Sequence, residues 1–228
     1  MNVVIKELKV RVGGGETHED AEKRVREEMR YEARIVRKLG DHPGLPLLFG
    51  VCSERPPFRM VMQFHGEKDY SSFTISSALR KKVILETAVW LDIIKNVTEA
   101  IAHVHSAGFL HNDIKSNNVV LDNTSRRCQP VLIDFGKSLP VSGLKGPKIM
   151  CPERQIKYSK DYPHIAPEIV TGKQGQSFAS DVFSLAYMGK VIFEKAKLGS
   201  LPEVLLRATC CDPAERPTLK EISESLKL

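Results

Sequence analysis

The sequence lacks long apolar runs, and no stretch approaches the about 18 uninterrupted apolar residues that a membrane-spanning helix needs. Its first residues, MNVVIKELKV, carry three charges where a secretory signal peptide would have its apolar core. Cysteine is scarce: the five residues form no CxxC pair and have no histidines at zinc-binding spacing. These absences argue against a membrane span, a secreted disulfide scaffold and a zinc module. They predict a cytoplasmic protein whose thiols stay free in a reducing compartment.

The charge balance has little excess of either sign. The net charge of +6, from 34 basic and 28 acidic residues, is too small and too dispersed to indicate a nucleic-acid partner. The one local bias lies in residues 137–160, where Glu153 is the single acid among six cations: Lys137, Lys145, Lys148, Arg154, Lys157 and Lys160. A solvated loop is the main interpretation of this segment, and attraction of an acidic or phosphorylated partner is the alternative.

The N-terminal part of the chain combines a strand pattern with a long helix pattern. Apolar and charged residues alternate over 2–10, which predicts a β-strand. Thr17, followed three residues later by Asp20, indicates a helix start, and the helix is predicted to run to about Leu39. Glu32 falls on the apolar stripe of this helix. A partner inside the protein is the favoured interpretation, and a charge at the edge of the stripe is the alternative.

Apolar patterns predict the remaining elements. They are hairpin strands over 45–52 and 58–64, a helix over 87–106, short strands at 118–121 and 131–133, and a fully buried helix over 181–193. The polar stretch 65–77 is the expected hinge between a small N-terminal lobe of strands and a helix and a larger helical lobe. With 228 residues, 42% of them hydrophobic, the chain is long enough to bury a sizeable core.

Two short motifs carry most of the functional information. HNDIKSNN, residues 111–118, supplies Asp113, Lys115 and Asn118, and DFG supplies Asp134 sixteen residues after that asparagine. The strand-like runs VVLD and VLID lie between the two motifs. Each residue type alone is ordinary on a protein surface. Together they are the groups that phosphoryl transfer needs: a carboxylate beside a hydroxyl, a cation, and hard oxygen ligands for Mg²⁺.

This combination resembles the catalytic and metal-binding motifs of the eukaryotic protein kinase superfamily, in its serine/threonine or tyrosine-kinase-like branch. The resemblance runs from residue 3 to about residue 218. It implies an α+β fold of two lobes, with a reduced N-lobe sheet over 1–65 and a mainly helical C-lobe over 66–228. It also implies ATP as the phosphate donor, Mg²⁺ as cofactor, and a protein as substrate or signalling partner.

The resemblance implies a role for each motif residue in the transfer itself. Asp113 would orient the acceptor hydroxyl, and Lys115 would offset the charge that develops on the transferred phosphoryl group. Asn118 and Asp134 would be the Mg²⁺ ligands.

The same resemblance places the nucleotide site and three structural residues. VVIK resembles the V-A-I-K strand, so Lys6 would contact the α- and β-phosphates and Glu32 would be its ion-pair partner. The adenine pocket would include Met62 as gatekeeper, a hinge formed by Gln63, Phe64 and His65, and Val120. Glu168 of the APE motif would pair with Arg216, and Asp181 would anchor the catalytic loop.

The sequence departs from the family pattern in ways that bear on activity. Lys6 is the sixth residue, so the two strands and the Gly-rich loop that normally precede this lysine are expected to be missing, which gives a truncated N-lobe and weak activity. Asn112 replaces the arginine beside the catalytic aspartate, and Asp161 stands where serine/threonine kinases place a threonine.

Three functional interpretations therefore stay open. They are a weakly active protein kinase with serine/threonine specificity favoured, a pseudokinase that acts as a scaffold or signalling-interaction module, and an incomplete gene product. No G-x-x-x-x-G-K-[ST] occurs, so a P-loop nucleotide triphosphatase is disfavoured.

Overall fold

The structure is a computed structural model that describes residues 2–67, 69, 71–83, 85–123, 128–144 and 146–226. Lys145, one of the predicted basic cluster, lies outside the described residues. The chain folds into a smaller lobe built on a β-sheet and a larger, mainly helical lobe, as the predicted α+β class requires. Within the described residues, no helix has the length and apolar character that crossing a membrane requires.

The small lobe consists of an antiparallel sheet and one long helix. The strands pair in the order β1-β3-β2 and are β1 (Val3–Leu8), β2 (Leu48–Cys52) and β3 (Phe58–Gln63). Helix α1 (His18–Leu39) begins as predicted, because the side chain of Thr17 accepts a hydrogen bond from the backbone N–H of Asp20. Its apolar stripe packs against Phe58 and Met60 in the sheet. Glu32 is 5% exposed on that inward face.

The large lobe is built around two buried helices. The helices after the sheet are α2 (Ile75–Arg80), α3 (Thr87–Ser106), α4 (Pro152–Asp161), α5 (Pro167–Val170), α6 (Phe178–Ala196), α7 (Glu203–Ala208) and α8 (Leu219–Ser225). Helix α3 packs against α6 and α8, and Trp90 of α3 is fully buried in this core. Helix α6 starts three residues before the predicted buried helix, because Ser177 and Ser180 form a reciprocal cap at its N-terminus.

Two small sheets lie where the lobes meet and hold the two motifs. One has the order β4-β6-β7, from strands β4 (Phe73–Thr74), β6 (Val119–Asp122) and β7 (Gln129–Leu132). The other pairs β5 (Phe109–Leu110) with β8 (Leu139–Pro140). The HNDIKSNN segment, residues 111–118, which the resemblance identifies as the catalytic loop, follows β5 and leads into β6, and DFG follows β7. These short strands therefore bring the two motifs side by side.

Two local predictions need correction. The segment 137–160 is not a loop throughout, because α4 begins at Pro152 and ends at Asp161. Pro152 occupies the first helical position, where its fixed φ favours a helix, and Lys160 lies in the last turn, where a cation stabilises the helix end. The hinge stretch 65–77 is also shorter than predicted, since Thr74 caps α2 and Ile75 is fully buried.

Candidate active site

A cavity of about 380 Å³ lies between the small-lobe sheet and the catalytic loop. All the residues predicted to bind the nucleotide line its wall, together with both predicted metal ligands: Lys6, Glu32, Met62, Gln63, Phe64, His65, Val120, Asn118 and Asp134. The wall is mainly apolar with a polar end, which suits a planar base carrying a charged group. The imidazole Nδ1 of His65 lies 2.8 Å from Oδ2 of Asp122, which ties the hinge to β6.

Lys6 joins the small lobe to the DFG motif at the polar end of this cavity. Its Nζ donates hydrogen bonds to Oε1 and Oε2 of Glu32 at 2.7 and 2.9 Å and to Oδ1 of Asp134 at 3.0 Å. Burial alone would lower the pKa of the Lys6 ammonium, but the charge of Glu32, reinforced by Asp134, raises its pKa above the usual value. The geometry therefore keeps a full positive charge at the end of the cavity.

The catalytic loop is held from beneath by Asp181 on α6. Its carboxylate accepts hydrogen bonds from the backbone N–H groups of His111, at 2.8 Å, and Asn112, at 2.9 Å. The imidazole Nε2 of His105 lies 2.9 Å from the same carboxylate. Asp181 is 1% exposed, so these partners satisfy a buried charge and fix the loop backbone at the same time.

The Asp113 carboxylate lies at the centre of a group of donors. Lys115 Nζ contacts both of its oxygens, at 3.0 and 2.9 Å, and Lys137 Nζ contacts Oδ1 at 3.1 Å. The amide of Asn118 donates to Oδ2 at 3.0 Å, and Nε2 of His164 lies 3.6 Å from Oδ1. Burial would raise the pKa of Asp113, but the contacts with His164, Lys115 and Lys137 lower it well below its usual range. Asp113 is therefore an ionised carboxylate.

Asn118 and Asp134 offer a donor set that fits Mg²⁺. The Nδ2 group of Asn118 donates to the backbone carbonyl of Asp113 at 2.8 Å and to the Asp113 carboxylate, so its Oδ1 is the atom available as a metal ligand. Asp134 contributes a carboxylate, 45% exposed, on the same cavity wall. One carboxylate and one carboxamide oxygen suit a hard cation that keeps phosphate and water as its other ligands. Asp134 also has a φ of +69°, an uncommon value for a non-glycine residue that is often found at functional sites.

A deeply buried ion pair joins Arg216 to Glu168 of the APE motif. Arg216 donates through Nη1 and Nη2 to the two carboxylate oxygens of Glu168, both at 2.7 Å. The side chains are 1% and 3% exposed. This is the pair that the sequence predicts, and its bidentate geometry fixes the end of the segment that starts at DFG.

The structure brings to the site three residues that the sequence motifs did not place there, although Lys137 was already named in the basic segment 137–160. Lys137 and His164 lie beside Asp113, and Tyr31 donates from its hydroxyl to the carbonyl of Ser138 at 2.8 Å. The only local signals were position: Lys137 directly follows DFG, and His164 lies two residues before the APE motif.

Comparison with known proteins gives the class of this fold and site. The protein kinase domain model matches residues 2–201 of the chain. The chain therefore belongs to the protein kinase domain family, and the resemblance read from its motifs is confirmed.

Individual relatives agree with the family. Serine/threonine-protein kinase PknA of Nostoc sp. strain PCC 7120 is 29% identical over 229 residues, which cover 90% of this chain and 39% of that protein. MAP kinase kinase kinase wis4 of Schizosaccharomyces pombe is 28% identical over 180 residues, or 77% of this chain and 12% of that protein. The chain thus spans about two fifths of the length of PknA and far less of wis4.

Proposed function

We propose that this chain is an ATP- and Mg²⁺-dependent protein kinase that phosphorylates serine or threonine hydroxyls on a protein. Family members transfer the γ-phosphate of ATP with the help of Mg²⁺ and act on protein substrates. The names of PknA and wis4 support a kinase, and that of PknA supports serine/threonine specificity. We further propose that residues 1–65 and 66–228 are its two lobes, and that it works in the cytoplasm, in keeping with its five free cysteines.

One observation carries this proposal: an ionised, positioned carboxylate lies next to a cavity that has a lysine and two oxygen ligands at its polar end. In the proposed reaction Asp113 accepts a hydrogen bond from the acceptor hydroxyl and aligns it for attack. Lys6 binds the α- and β-phosphates and Lys115 stabilises the charge on the transferred group. Mg²⁺, held by Asn118 and Asp134, would neutralise phosphate charge.

A slow reaction is part of the proposal. The Asp113 carboxylate accepts four hydrogen bonds from its own chain, so the acceptor hydroxyl must displace one of them. We therefore expect a rate below the roughly 1–100 s⁻¹ of ordinary kinases. The same engagement of Asp113 is what a pseudokinase scaffold would show, and this is the competing function.

A phosphotransfer assay with Mg²⁺-ATP decides between the two. The native chain should transfer phosphate at least about a hundred times faster than Asp113→Asn, because the asparagine cannot accept the hydroxyl proton. Asp41→Asn, which removes an exposed carboxylate outside the cavity, is the matched control and should retain the native rate. Equal background rates for the native chain and Asp113→Asn would favour the scaffold.

A further inference from the structure

Hydrogen bonds from the chain itself occupy the lone-pair sites of both Asp113 carboxylate oxygens. An ionised carboxylate has about four lone-pair sites. Lys115 takes one on each oxygen, Lys137 takes one on Oδ1 and Asn118 takes one on Oδ2. If an acceptor hydroxyl is to donate to this carboxylate, one of these donors has to leave.

Lys137 is the donor that can leave most easily. Its side chain is 61% exposed, against 30% for Lys115, and it makes one contact with Asp113 where Lys115 makes two. Asn118 is 6% exposed, so its departure would leave a buried amide unsatisfied. When the Lys137 ammonium moves away from Asp113, it is left without a carboxylate partner. It then lies close to where the substrate residues that flank the acceptor hydroxyl must bind. A carboxylate or phosphate on the substrate would restore that ion pair.

Helix α4 borders the same position and carries three cations, Arg154, Lys157 and Lys160. Tyr158 of α4 lines a cavity of about 310 Å³ together with Lys137 and Asn112. At the end of the helix, Asp161 lines a second cavity of about 310 Å³ with Lys115. Residues of α4 therefore line the cavities that Lys137 and Lys115 also line.

The described cations of this segment are exposed, and of these Lys137 is paired with Asp113. Over 137–161 the described residues include five cations and two acids, Glu153 and Asp161. Among the described residues, no ion pair reaches the cations that lie beyond Lys137: Lys148, Arg154, Lys157 and Lys160. Unpaired cations near a cleft raise the local concentration of anionic ligands.

We propose that the substrate of this kinase is an acidic peptide segment, with carboxylates or phosphates flanking its acceptor hydroxyl. Lys137 is the specificity-determining residue that exchanges Asp113 for a substrate anion, and the cations of α4 attract the rest of the segment. This inference rests on the proposed function and names its substrate class. An anionic membrane would also be attracted by exposed lysines, but a flat bilayer cannot reach Asp113, which is 4% exposed and lies beside the cleft.

The test compares three serine peptides that differ only in the residues flanking the acceptor, which are glutamate, glutamine or lysine. For the native chain we expect kcat/KM to be about tenfold higher with the glutamate peptide than with the glutamine peptide. This figure assumes two ion pairs with the substrate, each of which raises kcat/KM by about two- to fivefold. Lys137→Gln removes one of these two ion pairs and should reduce that ratio to about two- to fivefold, and Lys137→Glu should reduce it further. Lys137→Arg should retain it, and so should Lys195→Glu, which reverses the charge of an exposed lysine on α6.

A binding measurement separates this inference from the proposed function. Fluorescence anisotropy with the labelled serine peptides, measured without ATP, reports the preference without any transfer. Tighter binding of the glutamate peptide that weakens by about two- to fivefold in Lys137→Gln supports the inference even if the native chain and Asp113→Asn share one background rate. Equal binding and equal kcat/KM for the glutamate and glutamine peptides would overturn it while transfer by the native chain still stands. Binding to phosphatidylserine vesicles without any peptide preference would also overturn it, in favour of a membrane surface.

Discussion

The hydroxyl of Tyr31 on α1 donates a 2.8 Å hydrogen bond to the main-chain carbonyl of Ser138, just beyond the DFG motif. Tyr31 directly precedes Glu32, the partner of Lys6. In the neighbouring residue of the same segment, the carbonyl of Lys137 accepts a hydrogen bond from Nδ2 of Asn112 at 3.2 Å. Two neutral hydrogen bonds thus hold the start of the segment without a phosphate group. In this position Asn112 does part of what an arginine–phosphate pair would do.

We predict that Tyr31→Phe lowers kcat by about two- to tenfold, since it removes one hydrogen bond that keeps α1 and Glu32 against the DFG segment. Steady-state kinetics with Mg²⁺-ATP measures the effect, and urea unfolding of the same variant controls for stability. A loss of stability with unchanged kcat would show that the hydrogen bond has only a structural role.

Lys6→Met should weaken ATP binding by about tenfold or more and leave adenosine binding almost unchanged, because the ammonium faces the phosphate end of the cavity. Calorimetric titration with the two ligands measures both affinities. Lys9→Met, an exposed lysine just after β1, is the matched control. An equal loss for ATP and adenosine would mean that Lys6 supports the cavity as a whole and not the phosphates.

Arg216→Met should lower the free energy of unfolding by about 3–5 kcal/mol, because it leaves the buried carboxylate of Glu168 without its partner. Removing both charges in Arg216→Met with Glu168→Leu should restore part of that loss. Urea denaturation measures each variant, with Arg207→Met on the exposed side of α7 as control. If the double variant is no more stable than Arg216→Met, the loss of stability comes from lost packing and not from the unpaired charge.

The stability contributed by Asp113 should depend on pH with a defined sign. Its pKa in the folded chain lies below its usual value of 3.8, so the unfolded chain binds the proton first as the pH falls. The contribution of the carboxylate is therefore complete well above about pH 4 and is lost as the pH falls through the lowered pKa. The difference in free energy of unfolding between the native chain and Asp113→Asn should shrink below about pH 4. If the difference in free energy of unfolding grows as the pH falls, this prediction is wrong. Glu203→Gln, which removes an exposed carboxylate, is the control variant.

Sequence patterns predicted the elements whose signals are local. The cap at Thr17 and the apolar periodicity of 87–106 each predicted a helix. The inward position of Glu32 predicted a partner inside the protein, and the family resemblance identified that partner as Lys6. Helix α4 was missed because it buries none of its residues and so has no apolar stripe to detect. The contacts of Lys137 with Asp113 and of Tyr31 with Ser138 join residues 24 and 107 positions apart, and they depend on packing that no local pattern carries.

The anchoring of the catalytic loop by Asp181 has a consequence for motion between the lobes. His111 and Asn112 are fixed through their backbones to α6, deep in the helical lobe, while Lys6 belongs to the sheet of the other lobe. A rotation of one lobe against the other would therefore change the separation of Lys6 from Asp134 and leave the geometry around Asp113 intact. Opening and closing of this chain should modulate how tightly it holds a nucleotide, while the acceptor side behaves as a rigid body.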